Sequence, residues 1–175
     1  MLIATLKDQL GNQMFAYASI KAIAMDKGYD FGYVHMELEQ KHINDSDGKY
    51  GNSLSSIFTN VKNEKVENIP SHYGVYKENF RKYLTCDYAN EIREELFDNM
   101  VADGHFVDTT FFKHRLSAVR DWFSIPEDVD NKMEQYIQEI RKKNPNKKII
   151  AVHFRVGKDY AKGFRLAKRY WMEAA

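Results

Sequence analysis

Leu2-Ile3-Ala4-Thr5-Leu6-Lys7-Asp8-Gln9-Leu10-Gly11-Asn12-Gln13-Met14-Phe15-Ala16-Tyr17-Ala18 decides the reading of this chain. Leu2 to Leu6 is a short apolar run of strand length. Lys7 to Gly11 reads as a tight loop. From Asn12 to Lys27, Met14, Phe15, Ala18, Ala22 and Met25 recur at helical spacing. Asn12 is the expected N-cap and Gly28 the expected C′ residue. Alanines at 16, 18, 22 and 24 let such a helix lie close to a sheet. Phe31 to His35 reads as a second strand. Strand, glycine-bearing loop, helix and strand open a parallel α/β unit.

Further along, residues 40 to 56 are polar, and Asn44-Asp45-Ser46-Asp47-Gly48 reads as a loop. Residues 57 to 87 stay ambiguous. A helix is expected over Asn90 to Met100, a strand over Val101 to Phe106, and a helix over Thr109 to Phe123. Ser124-Ile125-Pro126-Glu127 has the form of a capping box with Pro126 in the first turn. The helix after it should run to about Lys143, where Asn144-Pro145-Asn146 stops it. Lys148 to Phe154 has the strongest strand pattern in the chain. A loop with Gly157 and a helix from Leu166 to Ala175 follow. The expected organisation is an N-terminal domain over 1–144, with a mainly parallel three-layer sheet and Leu2–Leu6 as an inner strand. Residues 145–175 then form the first strand–loop–helix of a second domain. A strand so placed lacks partners, so 149–154 is expected to pair with another copy or to lie on the N-terminal domain.

Composition narrows the classes. The chain has 175 residues, 43% hydrophobic and 29% charged, which is ordinary for a folded domain. No apolar run approaches the roughly 20 residues that span a bilayer, and the N-terminus lacks a signal-peptide pattern. Cys86 is the only cysteine, so no internal disulfide forms. A cytosolic protein, or one peripheral to a membrane surface, is expected. Residues 141–175 hold eleven Lys or Arg against Asp159 and Glu173, although the whole chain carries only +1. That asymmetry suits an anionic partner near the C-terminal end or a solvated helix face. Nucleic acid fits poorly, because few aromatics are placed for stacking and the chain is nearly neutral.

Two stretches carry candidate chemistry. After the first strand, Gly11 allows a sharp turn or close approach, and Asn12 and Gln13 offer amides suited to sugar hydroxyls. The alternative is a plain strand-to-helix turn. After the strand near the C-terminus, His153 and Arg155 alternate on one face at a carboxyl end, where open α/β sheets bind ligands. A guanidinium there can hold a diphosphate bidentately, with Gly157 letting the loop close. The alternatives are an ion pair of Arg155 with Asp159 and a hydrogen-bonded core histidine at His153.

Together these stretches resemble the α-1,2-fucosyltransferase family. Leu10-Gly11-Asn12-Gln13-Met14-Phe15-Ala16-Tyr17-Ala18 resembles its G-G-L-G-N-Q-M-F-Q-Y-A signature, and His153-Phe154-Arg155-Val156-Gly157-Lys158-Asp159-Tyr160 resembles its H-x-R-x-G-D-Y motif. Gly104-His105-Phe106 to Phe111-Phe112, with Arg120 and Phe123, resembles its G-Y-F-Q…Y-F…I-R…F region. Leu166 to Ala174, with Tyr170-Trp171, resembles the helix that follows. Three departures stand out. Asp8-Gln9 replace Gly-Gly, so if those glycines held positive φ the loop takes another path. Lys158 is inserted, which sets Asp159 one place late, and Val107 stands where the family has glutamine.

The resemblance implies a GT-B glycosyltransferase with a Rossmann-like N-terminal domain on the acceptor side. It implies a GDP-fucose donor held mainly by the second domain, a galactoside acceptor, and inverting transfer without metal or other cofactor. Arg155 would contact the donor diphosphate and His153 would orient it. Lys158 would add a cation. Gly11, Asn12, Gln13, Gly157 and Asp159 complete the expected binding set. No base for the acceptor hydroxyl is named. The 175-residue chain alone is expected to transfer little. The rival reading is a non-catalytic remnant or sugar-binding module of the same fold.

Overall fold

The computed structural model describes residues 1–35, 54–79 and 87–151. The chain forms two compact units, Met1–Asp130 and Asn131–Ala175. In the first, strands β1 (Leu2–Leu6), β2 (Phe31–His35), β3 (Gly74–Lys77) and β4 (Met100–Asp103) make one sheet in the order β2-β1-β4-β3. Every pairing is parallel. The protein is therefore α/β with β1 as an inner strand, as the apolar run at its start predicts. β1 is buried along its whole length, so both of its faces are covered. Leu2, Ala4 and Leu6 join the main core on one face, and Ile3 and Thr5 point to the other.

Helix α1 (Leu10–Lys27) packs on β1 and β2. Its burial is not the one-sided stripe that its spacing predicts. Ten consecutive or nearly consecutive residues, from Gln13 and Ala16 through Ala24, are buried, whereas Met25 is exposed. Small side chains make this workable, because Ala16, Ala18, Ser19, Ala22 and Ala24 let neighbours approach from all sides. The aromatic residues Phe111 and Phe112 cover it from the region after β4, with Phe15 and Phe112 rings 5.8 Å apart. Lys21 is buried within α1. It pairs with Glu64 at 2.6 Å, donates to the Tyr17 hydroxyl at 2.9 Å, and lies 4.6 Å from the Trp122 ring. Burial, and then the Glu64 carboxylate, push the Tyr17 pKa up.

The C-terminal end of α1 follows the expected design. Gly28 takes φ 70°, ψ 28°, and its N–H meets the carbonyls of Ala24 and Met25. A Cβ at Gly28 would touch nothing within 4 Å, so only the backbone conformation demands glycine. Gly28→Ala should therefore destabilise by about 1–2 kcal/mol. Urea unfolding of both proteins measures this, and equal or raised stability would contradict it.

Asp26, in the last turn of α1, gathers two arginines and a histidine from later in the chain. Arg93 Nη1 lies 2.5 Å from Oδ2, Arg115 Nη2 lies 2.6 Å from Oδ1, and His114 Nε2 lies 3.0 Å from both oxygens. Burial alone would raise the Asp26 pKa, but hydrogen bonds from His114, Arg93 and Arg115 outweigh it and bring it to about 2. A depressed carboxyl pKa adds stability that is complete above the unfolded value, and this is lost as pH falls through the folded one. The urea midpoint should thus drop between about pH 4 and pH 2, and Asp26→Asn should shrink that drop. An unchanged acid limb in Asp26→Asn would contradict the assignment.

Several other expectations are corrected. α1 starts at Leu10 after Gln9, so Asn12 is its third residue and not its N-cap. Residues 54–57 form the short helix α2 (Leu54–Ile57), with Leu54 fully buried. The ambiguous region contains a 3-10 helix at Thr59–Glu64 and the strand β3. Helix α3 (Tyr88–Glu95) ends before the predicted point, and β4 is shorter than the strand expected over 101–106. The helix expected over 109–123 is broken into 3-10 turns at Thr109–Phe111 and Lys113–Arg115 and the helix α4 (Leu116–Trp122). Ser124 caps nothing. Its hydroxyl accepts from Asn60 Nδ2 at 2.9 Å, and α5 (Glu127–Lys143) begins three residues later.

α5 buries no side chain. Glu127, Asp128 and Asp130 fill its first turn and Arg141, Lys142 and Lys143 its last, in accord with the helix dipole. Residues 148–151 are not a strand, and Ile150 is 73% exposed. The remainder of the strand and helix expected there, and the loop at 44–48, lie outside the described residues.

Candidate functional site

A wholly parallel sheet places all its carboxyl ends on one edge, and α/β domains present ligand-binding groups there. On this edge β1 runs into Lys7-Asp8-Gln9, β4 into Gly104-His105-Phe106, and β3 into Glu78. β1 and β4 are neighbours, with Ala4 opposite Ala102. Continuing that register sets Thr5 beside Asp103 and brings the two following loops together.

The contacts agree. Lys7 Nζ donates to Asp103 Oδ1 at 2.7 Å, and Thr5 Oγ1 donates to the same oxygen at 3.1 Å. Burial would raise the Asp103 pKa, but the bonds from Lys7 and Thr5 hold it below the usual carboxylate value. One residue further on, His105 Nε2 is hydrogen-bonded to Asp8 Oδ2. Asp8 itself adopts φ 60°. The loop thus carries a non-glycine residue in the left-handed region. An aspartate tolerates that conformation better than most side chains do.

Glu78 fixes the second loop. Its carboxylate accepts the His105 N–H at 2.7 Å, the Phe106 N–H at 2.9 Å and the Tyr88 hydroxyl. Phe106 takes φ 50°, unusual for an aromatic residue, and its carbonyl accepts from Ser19 Oγ at 3.0 Å. Gly104 is required by the closeness of this arrangement. A Cβ there would stand 2.4 Å from the Glu78 Cβ. At the end of β2, His35 Nε2 and the Tyr33 hydroxyl are buried and find no hydrogen-bond partner among the described residues. Burial, then Lys65, lowers the His35 pKa.

The predicted site residues divide into two groups. Gly11, Asn12 and Gln13 stand at this edge, in the first turns of α1. Gly11 is helical and exposed, with open space where a Cβ would lie, so it makes no turn. Asn12 is half-buried. Gln13 is buried and serves as a bracket. Its Nε2 donates to the Asp8 carbonyl at 2.8 Å and its Oε1 accepts the Leu54 N–H at 3.0 Å. The second group, His153, Arg155, Gly157, Lys158 and Asp159, lies outside the described residues.

Asp8, His105, Glu78 and Asp103 were not among the predicted site residues. The sequence did mark two of them, since Asp8-Gln9 and Gly104-His105-Phe106 both lie in the stretches singled out above. Among the described residues no group of three or more His, Cys, Asp or Glu side chains is placed to hold a metal ion. Among them, too, no helix is long and apolar enough to cross a membrane. The sequence matches no protein-family model, no curated protein and no solved structure.

Proposed function

We propose that the protein transfers fucose from GDP-fucose to the 2-hydroxyl of a galactoside, as a GT-B glycosyltransferase that inverts the anomeric centre without a metal. The observation that carries this reading is the place of Leu10-Gly11-Asn12-Gln13-Met14-Phe15. The motif opens the first helix after a central strand, at the carboxyl edge of a parallel sheet. The fold supports the reading at the level of an α/β domain, and the motif adds the family.

In this scheme the acceptor O2 attacks the fucose anomeric carbon from the face opposite GDP. The new carbon–oxygen bond forms as the bond to the diphosphate breaks, GDP leaves with the electron pair, and the acceptor hydroxyl's proton passes to water. Arg155 meets that charge with two parallel hydrogen bonds and His153 orients the diphosphate. Lys158 adds a second cation, Gly157 lets the loop close over the donor, and Asp159 belongs to the binding set. The acceptor enters from the N-terminal domain.

Calorimetric titration of the protein at full natural length with GDP, UDP and CMP tests the donor class. GDP should bind, and bind more tightly than the others. Equal binding of all three, or tighter binding of UDP, would contradict a guanine-nucleotide donor.

A further inference from the structure

Among the described residues, Asp8 and Phe106 are non-glycine residues with positive φ in the loops that follow neighbouring strands, two positions past β1 and three past β4. Such strain persists only where the surroundings over-determine it, and it gathers at functional sites. The surroundings here do so from both sides. Gln13 holds the Asp8 carbonyl and His105 holds the Asp8 carboxylate. Glu78 holds the N–H groups of His105 and Phe106, and Ser19 holds the Phe106 carbonyl. All these bonds converge on one outcome, the fixed position of the Asp8 carboxylate.

That carboxylate is not consumed by the fold. Its side chain stays 46% exposed while its partner His105 is 19% exposed. His105 takes Oδ2, and among the described residues Oδ1 accepts no hydrogen bond. A carboxylate with one oxygen fixed by an imidazole is a preorganised acceptor for hydroxyl groups, since only acceptor lone pairs face outward. Adjacent hydroxyls of a pyranose ring offer the matching donors. The neighbouring Lys7–Asp103 pair is internally neutralised and so does not compete for this role.

We propose that Asp8, positioned by His105, reads the hydroxyl groups of the acceptor sugar and sets which terminal pyranoside the protein accepts. This rests on the acceptor-side reading of the N-terminal domain. It also goes beyond the resemblance, because the family has glycine here. A side chain peculiar to this sequence distinguishes acceptors and does not supply the shared chemistry of transfer. Asp8 is therefore a specificity-determining residue, and His105 a positioning one.

The test is ligand-observed NMR titration of this chain with methyl β-galactopyranoside and its 3-deoxy and 4-deoxy analogues. Wild type, Asp8→Asn, Asp8→Gly and His105→Gln are compared. Asp8→Gly suits φ 60° and Asp8→Asn keeps the shape, so neither variant threatens the fold. Wild type should bind the galactoside, and both Asp8 variants should bind about tenfold to a hundredfold more weakly. One deoxy analogue should bind wild type as weakly as the Asp8 variants bind the parent sugar, with no further loss in those variants. His105→Gln should weaken binding less than either. Binding by both Asp8 variants within twofold of wild type would overturn the inference and leave the acceptor-side reading standing. Absence of galactoside binding by wild type would overturn that reading along with it.

Discussion

Replacing Glu78 by alanine is expected to cost about 2–5 kcal/mol of stability, enough to threaten a domain of ordinary stability. Glu78 is 9% exposed and accepts from two backbone N–H groups and the Tyr88 hydroxyl. Alanine removes the acceptor and leaves the Phe106 N–H, in a fully buried residue, without its partner. Each such orphaned donor costs roughly 1–3 kcal/mol, and a bond to a charged acceptor is worth more than a neutral one. Phe106 also holds a disfavoured φ that these bonds enforce, so losing them releases the loop. Glu78→Gln keeps one acceptor oxygen and should fall between the two. Urea unfolding measures all three proteins. A Glu78→Ala midpoint equal to wild type would show that the loop does not depend on this carboxylate.

Arg155→Ala is expected to lower turnover about a hundredfold to a thousandfold, or roughly 2.7–4 kcal/mol. The protein at full natural length is assayed at saturating donor with a chelator present. The proposed role places the guanidinium opposite the leaving diphosphate, where negative charge grows as the fucosyl bond breaks. Such a contact acts mostly in the transition state, so the loss should appear in kcat more than in KM. Arg155→Lys should recover part of the rate, because an ammonium cannot form the two parallel bonds. Near-wild-type turnover in Arg155→Ala would remove this residue from the mechanism and make Lys158 the next residue to test.

The parts of the fold that were legible share one property. Their signals are local. β1 and β2 are short apolar runs whose limits match the sequence reading residue for residue, and Gly28 closes α1 as predicted. β3 was not legible because it is an edge strand of four residues, mostly exposed, with no apolar face for periodicity to find. The helix expected over 109–123 breaks because Phe111, Phe112 and Phe123 are claimed by contacts with α1 and α3, and tertiary packing overrides local spacing. Ser124 lost its capping role to Asn60, a residue 64 positions away.

The candidate site was legible in outline and not in detail. The sequence placed the Gly11-Asn12-Gln13 stretch after the first strand, where the structure has it. It could not show that Gln13 is spent on holding Asp8 and Leu54, because both partners are set by the fold. The replacement of glycine by Asp8 was visible, yet the His105 that receives it lies 97 residues further along. Only the parallel pairing of β1 and β4 brings those two side chains together.

The central claim, inverting fucosyl transfer to a galactose 2-hydroxyl, is tested most directly by the linkage in the product. The protein at full natural length is incubated with GDP-fucose and a β-galactoside in the presence of chelator, and the product is analysed by NMR. The account predicts a single new α-linked fucose on galactose O2. A product linked through another hydroxyl or with β configuration, or no transfer at all, would contradict it.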